Sequence, residues 1–146
     1  MVIRVLDEKR ASICDELLTK LIMEEKQYDT SVSDSFKVTN YFKNIIKNTN
    51  NYLMCYEEDN IIKGYIYLKE IKDDNKVGYL VEGLYVREEE RNKKIATSLI
   101  NESLKILNNL KIDFIDINVI ANNLIAKNIY KKFGFHDYRI TMRKYN

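Results

Sequence analysis

Residues 84–99, LYVREEERNKKIATSL, decide the fold predicted for this 146-residue chain. The stretch begins with a β-prone apolar run, passes through a charged loop and enters a segment whose apolar residues recur on one side of a helix. It therefore predicts a strand, a loop and a helix in that order. At the helix start, free backbone N–H groups, the positive end of the helix dipole and the side chains of Arg91, Lys93 and Lys94 would converge. Such a corner suits a phosphate, although a charged loop before a surface helix is an equally ordinary interpretation.

A second stretch, residues 123–135, reads NLIAKNIYKKFGF and predicts a short helix that returns to the core at Phe135. Gly134 would end this helix, because glycine readily adopts the left-handed conformation found after helix C-termini. The apolar side of the helix would consist of Leu124, Ile125, Ile129 and Phe133.

Together the two stretches resemble the GNAT superfamily of N-acetyltransferases, which use acetyl-coenzyme A. The first family motif has Gln or Arg, two free positions, Gly, one free position, and Gly or Ala; residues 91–96 here read RNKKIA. The second motif has Asn, two free positions, Ala, three free positions, Tyr and soon Gly-Phe, which matches Asn123, Ala126, Tyr130 and Gly134-Phe135. The match covers the C-terminal half, and it departs from the family at Lys94, where Gly is usual. A lysine adds a steric cost if this position requires a positive φ, so whether coenzyme binding is weakened stays open.

The resemblance implies an α/β fold of the α+β type, a single GNAT-like domain over residues 1–146 with helices flanking a mixed, mostly antiparallel sheet. The patterns along the chain predict the element order β-α-α-β-β-β-α-β-α-β. Strands are predicted at residues 2–5, 52–56, 61–71, 77–86, 112–120 and 136–145. Four helices are predicted. The first covers residues 11–28, and the second follows a polar break at residues 29–33 and a cap at Asp34 or Ser35. The third follows Arg91, and the fourth covers residues 124–133. The strand–helix–strand order predicts that segments 77–86 and 112–120 run parallel.

By resemblance, segments 77–86 and 112–120 splay apart at their C-terminal ends and accept the pantetheine arm of the coenzyme as if it were a strand. Main-chain N–H groups near Tyr85 and Val86 would face the thioester oxygen, and the diphosphate would lie on the N–H groups at the helix start. The predicted coenzyme-binding residues are Leu84, Tyr85, Val86, Arg91, Asn92, Lys93, Lys94, Ile95, Ala96, Thr97, Asn123 and Tyr130.

Acetyl transfer from a thioester to an amine needs a neutral amine and a proton for the departing thiolate. Tyr130 matches the family tyrosine that can protonate the sulfur, and its alternative role is that of a half-buried helix tyrosine. Asn123 matches a residue that hydrogen-bonds the pantetheine arm, and it is equally a helix cap. Glu82, expected on the same strand face as Leu84 and Val86, is the candidate base, acting directly or through water; a solvated strand position is its alternative.

The composition limits the classes of partner. With 24 basic and 22 acidic residues the net charge is +2, which predicts neither a nucleic acid nor a membrane partner. No run approaches the roughly 20 apolar residues that span a bilayer, and the charged start does not resemble a signal peptide, so a cytoplasmic location is expected. Two cysteines and one histidine, without metal-ligand spacing, predict buried thiols and no metal site.

The resemblance therefore implies an acetyl-CoA-dependent N-acetyltransferase that transfers the acetyl group directly to a primary amine within a ternary complex. The acceptor stays open between a small-molecule amine, such as an aminoglycoside or a polyamine, and a protein amine. Residues 82–86, EGLYV, are similar to a segment of some aminoglycoside 6′-acetyltransferases in this superfamily. The alternative function is a non-catalytic sensor or subunit that binds coenzyme A, and a homodimer stays open as the oligomeric state.

Overall fold

The computed structural model describes residues 1–28 and 31–146. One five-stranded sheet has the order β1-β2-β3-β4-β5, and its strands are β1 (Val2–Arg4), β2 (Tyr52–Glu58), β3 (Ile61–Asp73), β4 (Lys76–Val86) and β5 (Phe114–Ile117). The helices are α1 (Glu8–Glu25), α2 (Tyr41–Ile45), α3 (Ile95–Asn108) and α4 (Leu124–Lys132), and a 3₁₀ turn (Glu88–Glu90) precedes α3. Strands β1 to β4 are antiparallel, whereas β4 and β5 are parallel. The predicted fold class, a mixed sheet flanked by helices, is confirmed.

The two faces of the sheet carry separate apolar clusters. Helices α1 and α2 cover one face, here called the tyrosine face, where the buried rings of Phe42, Tyr65, Tyr67 and Tyr85 pack. Helix α3 covers the opposite face, where Leu99 and Leu107 pack against strand residues such as Leu68 and Val86. Burial on both faces explains why the central strands read as nearly continuous apolar runs.

A β-bulge in β4 changes which residues point to which face. Tyr67 pairs with Gly83 and Leu68 pairs with Val81, so Glu82 is an extra residue without a partner on β3. A bulge of this kind shifts the alternation of side chains by one position. Gly83 stands directly after this extra residue, and a glycine inside a strand often accompanies a bulge.

Helix α1 begins at Glu8, before the predicted start at residue 11, because the Asp7 carboxylate caps it by accepting a hydrogen bond of 3.0 Å from the N–H group of Arg10. It ends at Glu25 rather than at residue 28. Of the predicted polar break, residues 29 and 30 lie outside the described part of the chain.

The predicted second helix is wrong in its start. Helix α2 has five residues and begins at Tyr41, not after Asp34 or Ser35. Asn40 before it has a φ of 57°, and this left-handed conformation prevents residues 36–39 from joining the helix. The five-residue α2 is held to α1 by the buried carboxylate of Asp15, which accepts a hydrogen bond of 3.0 Å from the N–H group of Phe42.

The predicted strand at residues 136–145 is also wrong, since the structure assigns no strand to residues 136–146. Tyr138, Ile140 and Met142 are 72%, 81% and 91% exposed, so the loose alternation of this segment is not used to bury an apolar face. Strand β5 is shorter than predicted, with four residues instead of nine. Within the described residues, no helix has the length and apolar character of a membrane span.

Candidate active site

The edge of β4 that faces β5 is paired only over part of its length. The parallel ladder runs from Gly78 with Phe114 to Val81 with Ile117, whereas β4 continues to Val86. Residues 82–86 therefore have no strand partner on that side within the described chain. This confirms the splaying expected from the resemblance. Unpaired backbone groups at a sheet edge can pair with an extended ligand as they would with a strand.

The chain leaves this edge through the 3₁₀ turn and reaches the first residues of α3. The N–H group of Ser98 donates to the carbonyl of Lys94 at 3.0 Å. In the described residues, no backbone or side-chain acceptor takes the N–H groups of residues 92–97. Consecutive free N–H groups at a helix start form an anion site, and they fit the diphosphate of a coenzyme.

Lys94, which stands where the family usually has Gly, adopts a left-handed backbone conformation. Its φ is 64° and its ψ is 19°, so it lies in the region that favours glycine. A non-glycine residue in this region costs roughly 1–2 kcal/mol. The family preference for glycine at this position therefore has a conformational cause, and this chain accepts the cost.

The three cationic side chains of the corner do not converge on its N–H groups. The Nη2 atom of Arg91 donates to both carboxylate oxygens of Glu24, at 2.7 and 2.8 Å, and its Nε atom donates to the carbonyl of Val86 at 3.0 Å. The Nζ atom of Lys93 donates to Glu90 at 2.9 Å. The prediction that these side chains converge at the helix start is therefore wrong for Arg91 and Lys93, because they pair with the carboxylates of Glu24 and Glu90.

Glu82 points to the tyrosine face, not to the face of Leu84 and Val86 as predicted. The bulge reverses the alternation, so Leu84 and Val86 pack in the cluster of α3, whereas the Glu82 carboxylate lies near Tyr41 and Tyr67. Burial raises the pKa of Tyr41, and the charge and hydrogen bonding of Glu82 raise it further. The side chain of Glu82 is exposed, so it is accessible to solvent.

Tyr130 lies on α4, and its ring packs edge-on against that of Phe135 with 6.3 Å between the centroids. Burial, and to a smaller extent the charge of Glu25, raises the pKa of Tyr130 to about 12. The hydroxyl therefore keeps its proton at neutral pH and can act as a proton donor. Asn123 is the N-cap of α4, because its Oδ1 atom accepts a hydrogen bond of 3.2 Å from the N–H group of Ala126.

The apolar side predicted for α4 is not buried. Leu124 and Ile125 are 64% and 74% exposed, and α4 contains no buried residue. The reason lies in the neighbouring elements, since the segment after α4 forms no strand to complete the sheet.

The family model described as the acetyltransferase (GNAT) family matches residues 16–135, which include both motifs and the whole of the site. The chain belongs to the GNAT family. Among curated proteins, none matches this sequence.

Solved structures share the GNAT fold with this chain at low sequence identity. A transcriptional regulator from Bacillus halodurans is 16% identical with a TM-score of 0.79, and the match covers 100% of this chain and 99% of that one. The aminoglycoside N-acetyltransferase AAC(6')-Iy in complex with CoA is 13% identical with a TM-score of 0.75, again over 100% and 99%. A ribosomal-protein-alanine N-acetyltransferase from Brucella melitensis biovar Abortus 2308 is 13% identical with a TM-score of 0.65, over 99% of both chains. At these identities the likeness shows the fold.

Three residues that lie near the predicted site residues were not predicted from the sequence. Glu24, Tyr41 and Tyr67 come from α1, α2 and β3, and no motif links them. Among the described residues, no group of three His, Cys, Asp or Glu side chains could hold a metal ion. Cys14 and Cys55 are free and buried, as predicted.

Proposed function

We propose that this protein is an acetyl-CoA-dependent N-acetyltransferase that transfers the acetyl group directly to a primary amine within a ternary complex. One observation carries the proposal: the unpaired edge of β4 at residues 82–86 leads into the free N–H groups of residues 92–97. A strand-like pantetheine arm and a diphosphate occur in this order in coenzyme A. The fit therefore involves backbone groups over both segments and does not depend on one side chain.

The coenzyme would be held mainly by the main chain. Leu84 and Val86 would pair with the pantetheine arm through backbone groups that point away from β3, with Tyr85 between them. The N–H groups of Asn92, Lys93, Lys94, Ile95, Ala96 and Thr97 would take the diphosphate. Arg91 would contribute its backbone conformation, since its guanidinium group already pairs with Glu24. The side-chain amide nitrogen of Asn123 stays available to the pantetheine arm, because capping uses only Oδ1.

The bound coenzyme supplies an activated acetyl group as a thioester. In the transfer a nitrogen–carbon bond forms and the carbon–sulfur bond breaks. Glu82 would take the proton that the attacking amine loses, directly or through water, and the Tyr130 hydroxyl would give a proton to the departing thiolate. The N–H group of Val86, which points away from β3, would stabilise the negative charge that develops on the acetyl oxygen, whereas that of Tyr85 points toward β3.

The proposed acceptor is a cationic small-molecule amine. The exposed carboxylate of Glu82 lies on the side of β4 that carries the tyrosine face, next to Tyr41, and aromatic rings favour cations at close range. One structural neighbour is an aminoglycoside acetyltransferase in complex with sisomicin, from an uncultured soil metagenomic sample, at 12% identity and a TM-score of 0.69 over 100% of this chain and 95% of that one. An aminoglycoside or a polyamine would match this chemistry. We also propose that the protein acts in the cytoplasm.

A thiol-release assay over a panel of amines tests the proposal. The panel contains aminoglycosides, polyamines and a peptide with a free N-terminus, and mass spectrometry identifies the acetylated product. We expect one primary amine to give equal amounts of thiol and N-acetyl product, and its dimethylated analogue to give neither. Saturable coenzyme A binding without thiol release from any amine would favour the alternative function, a non-catalytic domain that binds coenzyme A.

A further inference from the structure

Two tyrosine hydroxyls on the tyrosine face are buried without a hydrogen-bond partner. Tyr65 and Tyr67 are 0% and 1% exposed, and in the part of the chain that the structure describes their OH groups have no hydrogen-bond partner. An unpaired buried polar group costs about 1–3 kcal/mol, and phenylalanine would fill either position without that cost. Since the hydroxyl does not stabilise the fold, we expect it to have another role, and the groups around it indicate which one.

The neighbours of the two hydroxyls differ. Tyr67 pairs in the ladder with Gly83 and therefore lies next to the bulged Glu82. Besides burial, only the nearby groups of Tyr41 and Glu82 raise the pKa of Tyr67. The Tyr65 hydroxyl lies over the backbone of Gly83, 2.6 Å from the place where a Cβ atom would stand.

The main neighbours of the Tyr65 hydroxyl belong to α1 and not to the edge that carries Glu82. Its pKa is raised by burial first, then by Cys14 and Glu25 of α1, and only after these by Tyr41 and Glu82. Tyr65 is therefore a matched control for Tyr67, with the same chemical group, the same burial and a different set of main neighbours.

Tyr41 is fixed in place as the third member of this group. It begins α2, whose next residue, Phe42, is held by the buried Asp15. The rings of Tyr41 and Tyr67 meet edge-on with 6.5 Å between their centroids and an interplanar angle of 86°. The two tyrosines thus approach the Glu82 carboxylate from α2 and from β3.

We propose that Tyr41 and Tyr67 are positioning residues that orient the Glu82 carboxylate toward the acceptor amine. The inference rests on the proposed function, in which Glu82 accepts the proton of the amine. A bulged residue at a sheet edge has more freedom than a paired one, so an exposed glutamate there needs outside contacts to hold one orientation. The Tyr41 hydroxyl makes such a contact with the Glu82 carboxylate. The Tyr67 hydroxyl, buried nearby without a hydrogen-bond partner, offers a second donor that the carboxylate can accept when it turns toward the tyrosine face.

Three single variants test the assignment: Tyr67→Phe, Tyr41→Phe and the control Tyr65→Phe. We expect Tyr67→Phe to lower kcat by roughly tenfold, at the lower end of what general base catalysis contributes. Its KM for the amine and its Kd for acetyl-CoA should change less than twofold, and its free energy of unfolding should be equal or higher because an unpaired hydroxyl is lost. Tyr65→Phe should show the same stability change with kcat within twofold of the parent.

A measurement without turnover separates this inference from the proposed function. In protein labelled with ¹³C at glutamate carboxyl carbons, the signal absent from Glu82→Gln identifies Glu82. We expect that signal to shift in Tyr67→Phe and Tyr41→Phe at constant pH and to stay in place in Tyr65→Phe. Glu82→Gln should also lower the pKa of Tyr41, because it removes the negative neighbour.

The outcomes are distinct. If no amine is acetylated, the proposed function fails, and the carboxyl signal still decides whether Tyr41 and Tyr67 contact Glu82. A Tyr67→Phe variant with unchanged kcat, or with an unmoved Glu82 signal, overturns the positioning role and leaves Tyr67 as a packing residue. An equal loss of kcat in Tyr65→Phe also overturns the positioning role, because the loss would then not be specific to the hydroxyl of Tyr67.

Discussion

The Nη2 atom of Arg91 donates hydrogen bonds to both carboxylate oxygens of Glu24, at 2.7 and 2.8 Å, and so ties the coenzyme motif to the last turn of α1. The same guanidinium group lies 5.3 Å from the ring centroid of Tyr85 and donates to the carbonyl of Val86. One side chain therefore links the end of β4, the loop that follows it and the helix expected to line the acceptor. The diphosphate would compete with Glu24 for this group.

Replacing Glu24 by Gln keeps the shape of the side chain and removes its charge. We expect coenzyme A to bind about threefold more tightly, because the freed Arg91 can approach the diphosphate and an exposed ion pair is worth roughly 0.2–1 kcal/mol. Isothermal titration measures the change. In an Arg91→Ala background the same substitution should have no effect. Weaker binding in Glu24→Gln would show instead that the ion pair holds the loop ready for the coenzyme.

Replacing Lys94 by Gly should stabilise the fold. Its φ of 64° strains any side chain, and glycine relieves that strain, so we expect the free energy of unfolding to rise by about 1 kcal/mol. Coenzyme affinity should be equal or higher. Lys94→Ala is the matched control, because it removes the ammonium group and keeps the Cβ atom. A similar loss of coenzyme affinity in both variants would identify the lysine ammonium as a phosphate ligand.

The family resemblance implied that β4 and β5 separate at their C-terminal ends, and the lysine in place of glycine raised the question of a positive φ at Lys94, which the structure answers. The face of Glu82 could not be predicted in the same way. A single bulged residue reverses the alternation of a strand, and bulges leave only a weak signal, here Gly83. The ion pair between Arg91 and Glu24 joins positions 67 residues apart and has no local pattern at all.

The remaining wrong predictions concern short elements, namely the start of α2 and the strand expected at residues 136–145. Whether residues 36–40 join α2 depends on one left-handed residue, Asn40, and propensity does not determine this. At the C-terminal end the alternation of apolar and polar residues resembles a strand, but a strand also needs a partner edge with matching length. Strand β5 offers four residues, and Ile140 and Met142 remain exposed.

Gly83→Ala tests the packing beneath the bulge. A Cβ atom at this position would stand 2.6 Å from the hydroxyl oxygen of Tyr65 and 3.3 Å from its ring, so we expect a loss of about 1–3 kcal/mol in the free energy of unfolding. Denaturation in urea measures it. Adding Tyr65→Phe removes the nearest atom and should recover part of the loss. If the double variant is as unstable as the sum of the two single changes, the two sites do not interact.

Tyr130→Phe retains the ring and removes the proposed proton donor. We expect turnover to fall by roughly 10²-fold, with the melting temperature nearly unchanged and coenzyme affinity lowered at most a few-fold. Since the pKa of Tyr130 is raised to about 12, its hydroxyl keeps its proton well above neutral pH. The ratio of parent to variant turnover should therefore stay constant from about pH 7 to about pH 10, whereas an ordinary tyrosine, with a pKa of about 10, would lose its advantage there. Full turnover in the Phe variant would remove Tyr130 from the mechanism.

The free edge of β4 and the N–H groups of residues 92–97 should act together as the coenzyme site, and an amide-resolved NMR titration with acetyl-CoA tests this most directly. We expect saturable shifts at residues 83–86 and 92–97, with small changes in β1 and β2. Pantetheine, which lacks the diphosphate, should shift residues 83–86 and leave 92–97 in place. Saturable binding of acetyl-CoA that leaves both segments unshifted would contradict the proposed site.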